Sequence, residues 1–178
     1  LQGEGFLWVR FSVSDRYVRC VHTDFQAPVY EDSCCELFIE PVGSQVERGK
    51  GYFNVEMNAI GALMISYITD PTRRPGGFAG RQLLDESENE RISRATTLQG
   101  AIDPEIEDPL EYEVAYAIPF ALLHRYCGVE EPKQGSVWRG NLYKCSENSS
   151  HPHWGAWSPI GEKLEYHQPE LFGAFEFA

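Results

Sequence analysis

The sequence predicts an all-β fold, an antiparallel β-sandwich of two sheets with immunoglobulin-like or jelly-roll-like character and at most one short helix. Three observations lead there. Apolar residues recur at period two in segment after segment, the pattern of half-buried strands. Proline and glycine punctuate those segments at short intervals. A single stretch carries both a helix start and a helix stop signal. At 178 residues the chain has the size of one domain, residues 1–178.

Taken in order, Leu7, Val9, Phe11 and Val13 fall on one side of a first strand over Phe6 to Val13, with Arg10 and Ser12 on the other. Ser14, Asp15 and Arg16 read as a turn, and Tyr17 to His22 as the return strand of a hairpin. Cys35, Leu37 and Ile39 alternate with Glu36, Phe38 and Glu40 until Pro41, which cannot donate to a ladder. Phe53, Val55, Met57 and Ala59 alternate with Tyr52, Asn54, Glu56 and Asn58, and Gly61 allows a turn into Leu63 to Ile68.

Asp70 to Gly80, rich in proline, glycine and arginine, reads as a surface loop, and Asp85 to Arg91 is too polar to be a buried element. Arg94 to Gln99 is a short strand, and Asp103 to Pro109 an acidic loop bracketed by prolines. Tyr112, Val114, Tyr116 and Ile118 form the next alternating strand. Phe120 to Tyr126 is the one helical candidate, with Pro119 at its start and Gly128 at its end. Val137 to Cys145 is a strand, Ser146 to Trp157 a polar and aromatic loop, and Phe172 to Phe177 a closing strand.

Composition removes several function classes. Hydrophobic residues make up 42% and charged residues 24%, enough apolar surface for a packed core. With 27 acidic against 15 basic residues the net charge is -12, and such a field repels nucleic acid and anionic lipid. No apolar run approaches the ~20 residues that a spanning helix needs. The chain opens on Leu1 rather than an initiator, so the expectation is that any signal peptide has been removed. Cys20, Cys34, Cys35, Cys127 and Cys145 are odd in number and lack paired C-x-x-C spacing, against both a disulfide framework and a zinc ribbon. Buried free thiols are the leading reading, ahead of one disulfide and of metal ligation.

Two polar rows carry candidate chemistry. If Phe53, Val55 and Met57 face the core, then Tyr52, Asn54, Glu56 and Asn58 line the opposite face. Arg139, Asn141 and Tyr143 do the same on a later strand, opposite Trp138, Gly140 and Leu142. Amides, carboxylates and guanidinium groups satisfy sugar hydroxyls, while aromatic faces pack on the apolar side of the ring. The competing reading is an ordinary solvated sheet face. His151, Pro152, His153, Trp154 and Trp157 concentrate two histidines and two tryptophans in one loop, which suits ligand contact or packing better than zinc.

Glu36 and Glu56 could serve as a hydrolytic carboxylate pair. No nucleophile elbow or phosphate loop is present. Glu31, Asp32, Asp103, Glu105, Glu107 and Asp108 could offer oxygens to calcium but match no EF-hand.

The order of several segments resembles one family: Tyr30 to Pro41, Tyr52 to Gly61, Tyr112 to Phe120, Trp138 to Cys145, Ser150 to His153, Trp157-Ser158-Pro159 and Gln168 to Gly173. They are similar to the family-nine-like carbohydrate-binding modules, within the superfamily of dopamine β-monooxygenase N-terminal-like sandwich domains. The resemblance implies two antiparallel sheets and non-catalytic carbohydrate binding in bacterial glycan handling, in a secreted or periplasmic setting. The implied partners are a carbohydrate ligand and other domains of a larger glycan-active protein, with no nucleic acid and no membrane span.

No cofactor is required, and a structural calcium is the ion to consider. Asn141, Tyr143, Lys144 and His153 match the group's own motif. Trp154 and Trp157 are offered on chemistry, alongside His151, Arg139, Asn54, Glu56 and Asn58. A haem-binding redox module is the alternative from the same superfamily, disfavoured because Met57 falls on the core face and Met64 has no assigned histidine partner. A glycoside hydrolase domain and a structural sandwich without a ligand are the remaining alternatives.

Overall fold

A computed structural model describes residues 2–3, 5–43 and 47–178; Leu1, on which the reading of the chain's start rests, lies outside them. The strands are β1 (Gln2–Gly3), β2 (Phe6–Asp15), β3 (Val18–Cys20), β4 (Cys34–Glu40), β5 (Tyr52–Asn58), β6 (Leu63–Arg74), β7 (Gly77–Leu83), β8 (Ser93–Thr96), β9 (Ile102–Ile106), β10 (Leu110–Pro119), β11 (Val137–Ser146), β12 (His153–Ala156) and β13 (Gly173–Glu176). The helices are α1 (Glu86–Asn89) and α2 (Phe120–Cys127). The smaller sheet runs β1-β2-β10-β8 and the larger β12-β11-β4-β5-β6-β7, with β13 also on β11; β3 and β9 form a separate ribbon. All pairings are antiparallel.

Period-two alternation builds the core between the two sheets. Cys35, Leu37 and Ile39 of β4, Phe53, Val55 and Met57 of β5, and Leu63 and Ile65 of β6 face Val114, Tyr116 and Ile118 of β10 across one hydrophobic interior. Trp138 closes one end, meeting Phe177 at 4.9 Å and Phe120 at 6.0 Å, both edge to face. Helix α2 follows Pro119 and ends at Gly128, whose φ of 74° is the left-handed conformation that lets a helix stop there.

Four local expectations are corrected. Tyr17 to His22 does not return alongside β2, because β10 pairs with β2 over ten consecutive residues. β3 leaves the sheet instead and pairs with β9, so the expected acidic loop at Asp103 to Pro109 is largely strand. Asp70 to Gly80 is not a loop but the end of a long ribbon in which β6 and β7 pair from Ser66↔Leu83 to Arg74↔Gly77. Most side chains on its outer part are exposed, so no apolar alternation marks it. The polar stretch after Asp85 contains α1, a single turn capped by Asp85 and Glu88 reciprocally. Glu88 is buried there, receiving Tyr126 Oη at 2.7 Å and Arg125 Nη1 at 3.0 Å.

The centre of the larger sheet is buried on both faces. Every residue of β4 and of β5 is buried, including the polar rows that an ordinary sandwich would leave in water. The cover is a third layer made of the projecting β6–β7 ribbon and the segment from Ser158 to Phe172. Tyr166 stacks on Tyr143 at 3.9 Å, His167 lies 4.6 Å from Phe38, and Phe172 meets Tyr52 at 5.3 Å.

Where β11 crosses β4, Gly140 leaves no space for a side chain: a Cβ there would collide with the Phe38 carbonyl oxygen and lie 2.8 Å from Phe175 Cε2. Gly140→Ala is expected to lower unfolding free energy by roughly 1–3 kcal/mol, the usual range for overpacking. A urea midpoint unchanged from the wild type would show that β11 and β13 can separate without loss.

Candidate functional site

The third layer covers the sheet incompletely, and the gap is a cleft of about 560 Å³. Its floor is Glu36 of β4, Asn54 and Glu56 of β5 and Met64 of β6. Because β12 and β7 lie at opposite edges of the sheet, Trp154 stands across the floor from Arg73, Phe78 and Arg81. Tyr30 and Glu147 extend the Trp154 side, and Leu164 to His167 cross above as a strap.

Each polar group on the floor is held by its neighbours. Ser66 Oγ donates to Asn54 Oδ1 at 3.1 Å, which turns the Asn54 amide nitrogen toward Glu56 Oε1 at 2.5 Å. Arg81 Nε donates to Ser66 Oγ at 3.3 Å, and its Nη2 approaches Met64 Sδ at 3.3 Å. Arg73 grips both oxygens of Glu165, at 3.0 and 3.1 Å, and lies 4.5 Å above the Phe78 ring. Those contacts join the ribbon to the strap. Trp154 is 41% exposed, so its ring is open to a ligand, while Nε1 reaches Glu147 at 3.5 Å.

The floor is less charged than its composition suggests. Burial pushes Glu56 up to about 7 against the opposing pull of Asn54 and Arg81. Burial raises Glu36 well above the carboxylate range, and the Glu56 carboxylate adds to that. Near neutral pH the floor therefore offers carboxyl donors as well as acceptors, the mixture that vicinal hydroxyls require.

The structure gathers Trp154, Asn54 and Glu56 from the sequence-predicted set at this cleft. Tyr143 supports it from below, its ring under Tyr166 and its hydroxyl donating to the Tyr166 carbonyl at 3.0 Å. The others lie elsewhere. Asn58 binds Asp32, the His22 carbonyl and the Ala62 amide. Asn141 is engaged with the backbone of Ser158 through both ends of its amide. Arg139 holds the carbonyls of Pro169 and Phe172.

Lys144 pairs with Asp15 at 2.8 Å and with His153 at 2.9 Å, bridging the larger sheet to the end of β2. His151 stacks on Tyr17 at 3.7 Å, and Trp157 stacks on Phe175 at 4.9 Å. Sequence reasoning missed Arg73, Phe78, Arg81, Tyr166 and His167. An aromatic flanked by glycines between arginines, in a segment read as a plain loop, was the signal available for the first three.

Four of the six acidic residues considered for calcium have protein partners. Asp32 accepts from the Val21 and His22 amides and from Asn58, Glu31 meets His22 at 3.0 Å, Glu105 accepts from the Ser150 amide, and Asp103 lies 3.5 Å from Arg19. The ligand-bearing side chains that do converge among the described residues are Cys34, Glu36 and Cys145. All five cysteines are free. Met57 is fully buried in the core and Met64 sulfur faces Arg81, an arrangement unlike an axial haem ligand.

His167 reports on the strap. Burial, with Arg73 and Arg81 nearby, lowers its imidazole from 6.5 to about 3, while its Nδ1 shares a 2.8 Å hydrogen bond with Tyr52. The unfolded chain takes up this proton near pH 6.5 and the folded chain only near 3, so its contribution is full above 6.5 and lost as pH falls. The loss reaches on the order of 2 kcal/mol by about pH 5. His167→Gln is expected to narrow the gap between urea midpoints at about pH 7.5 and about pH 5 relative to wild type. An identical gap in both proteins would mean that the imidazole is freely protonated in the fold.

Comparison with known proteins agrees with this architecture. Residues 3–177 match the family described as carbohydrate-binding family 9. A candidate carbohydrate-binding protein from Bacteroides uniformis ATCC 8492 superposes with a TM-score of 0.80 at 27% identity, over 97% of this chain and 73% of that one. A carbohydrate-binding module family 9 from Caldicellulosiruptor kristjanssonii, in complex with glucose, aligns at 14% identity and TM-score 0.53 over 96% of this chain and 70% of that one. The same module in complex with cellotriose gives 14% and 0.52, over 96% and 68%. No curated protein matches the chain. No helix among the described residues is long and apolar enough to cross a membrane. By its match over nearly the whole sequence, the chain belongs to carbohydrate-binding family 9.

Proposed function

We propose that the chain is a non-catalytic carbohydrate-binding module that holds a short glycan in the cleft between Trp154 and Phe78. The observation that carries this reading is the composition of that cleft: a floor of carboxyl and amide groups under aromatic walls, in a volume of about 560 Å³. Small-ligand sites commonly have this size and mixture. A ring packed on Trp154 would leave its hydroxyls within reach of Asn54, Glu56 and Arg81. Glucose and cellotriose, bound by the family-9 module of Caldicellulosiruptor kristjanssonii, are the first ligands to test. Family membership also supports a role in bacterial glycan handling and a secreted or periplasmic setting.

The carboxylates favour binding over hydrolysis. Glu36 and Glu56 are direct cross-strand partners and rise from the same floor. Hydrolysis of a glycosidic bond needs two carboxyl groups that flank it, with one of them beneath or beyond the anomeric carbon. Two acids side by side on one surface do not straddle a bond lying above them.

Trp154→Ala is expected to weaken binding of the best ligand roughly 10- to 100-fold, the equivalent of about 1.5–3 kcal/mol of buried aromatic surface. Trp157→Ala, outside the cleft, should leave affinity within about twofold. Calorimetric titration with cellotriose and a panel of oligosaccharides measures both. A panel without any saturable ligand, or an equal loss in the Trp157 variant, would remove the cleft as the site.

A further inference from the structure

Beneath one end of the cleft, two cysteines that sugar binding does not require come together with Glu36 of its floor. β4 and β11 are in register with Cys34 directly opposite Cys145, and Glu36 lies two residues along β4, on the same face. Their ligand atoms are all within 4.8 Å of one another, and Cys145 Sγ is 3.1 Å from Glu36 Oε1. All three are buried, at 0%, 2% and 1% exposure for Cys34, Glu36 and Cys145. Cys35 belongs to the opposite face and packs into the core, so adjacent cysteines serve separate surroundings.

We propose that Cys34, Cys145 and Glu36 bind one soft divalent cation of the zinc class, with Glu56 as a further donor. A tetrahedral ion with sulfur at about 2.3 Å and oxygen at about 2.0–2.2 Å separates its ligand atoms by roughly 3.3–3.8 Å. The cluster reaches such spacings by side-chain adjustments of an ångström or less.

A second observation points to the same place. Glu56 Oε2 is buried without a hydrogen-bond partner, and Glu56 pairs with Glu36 in the β4–β5 register. Its other oxygen accepts from Asn54, which Ser66 orients, as the supporting groups of metal carboxylates do. Glu36 and Glu56 both line the cleft, which gives an ion a route in from solvent. Two thiolates select zinc or cobalt over calcium, whose preferred ligands are all oxygen. This site shares Glu36 and Glu56 with the cleft floor but needs neither Trp154 nor the ribbon.

The test uses the full chain, reduced and stripped of metal by a chelator, with Co²⁺ as the spectroscopic probe and Zn²⁺ as competitor. One equivalent of Co²⁺ should produce a near-ultraviolet thiolate charge-transfer band with the visible bands of a tetrahedral ion, and Zn²⁺ should abolish both. Cys145→Ser and Glu36→Gln should each lower Co²⁺ affinity, by on the order of 100-fold for the thiol. Cys127→Ser, at the end of α2, should bind as wild type.

Circular dichroism checks the fold of each variant, and the wild-type titration decides the matter even if one fails to fold. No charge-transfer band in folded wild type would overturn the proposal. So would a band that survives in folded Cys145→Ser, or an intact mass showing a Cys34 to Cys145 disulfide in the protein as isolated. Sugar titration with and without the ion separates the two sites: loss of one signal alone condemns only that site.

Discussion

The structure depends on one constraint: β4 and β5 are buried on both faces although the outer face carries Glu36, Glu40, Asn54, Glu56 and Asn58 beside its aromatic rings. A buried amide or carboxylate without a partner costs about 1–3 kcal/mol, so the outer face must be satisfied group by group. Asn58 meets this requirement by joining β5 to Asp32 and the turn at Ala62, and Asn141 by clasping the Ser158 backbone. One oxygen of Glu56 is left buried without a partner, and there, over Glu36, Asn54 and Glu56, the covering layer opens into a cleft. The site is thus the part of the outer face that the fold leaves for something else to satisfy.

What holds the cover determines how firmly that cleft is shaped. Arg73 Nη2 is shared between the two oxygens of Glu165, but the arginine is 63% exposed, so the pair contributes at most about 1 kcal/mol. The aromatic contacts contribute more together. Tyr143 under Tyr166, His167 between Phe38 and Phe78, and Phe172 against Tyr52 each bury apolar area and add about 0.5–1.5 kcal/mol through ring geometry. Attachment by packing rather than by surface ion pairs makes the strap insensitive to salt, and it couples the strap to β4, β5 and β11 rather than to the ribbon alone.

The sandwich was legible because alternation along the central strands reports directly on the core. Phe53, Val55 and Met57 point inward as their spacing requires, and the same rule put Asn54 and Glu56 on one opposite row. The rule says nothing about what lies over that row. Cover comes from segments whose own patterns are silent: a ribbon exposed on both sides, and a strap whose Tyr166 and His167 follow no period. Pairing partners were illegible for a related reason. Adjacent segments suggested a hairpin between β2 and Val18 to Cys20, yet ten residues of β10, 95 to 113 positions away, pair with β2 instead. The motif residues Asn141, Lys144 and His153 stood out in the sequence because they are distinctive, and the structure shows each spending its polar atoms on holding loops and sheets together.

Charge favours a neutral polyol over an anionic glycan as the occupant of the proposed site. The chain carries a net charge of -12, and acidic side chains dominate the cleft floor. Burial raises both Glu36 and Glu56, so the floor presents carboxyl groups close to neutrality in place of two fixed anions. Arg73 is matched by Glu165, which leaves Arg81 facing Glu56 across the floor, the two drawing on each other's field. An anionic glycan would have to compete with Glu56 for that guanidinium and approach through the repulsion of the whole molecule. A neutral sugar meets neither obstacle, and its hydroxyls can both donate to and accept from carboxyl groups that burial keeps from full ionisation.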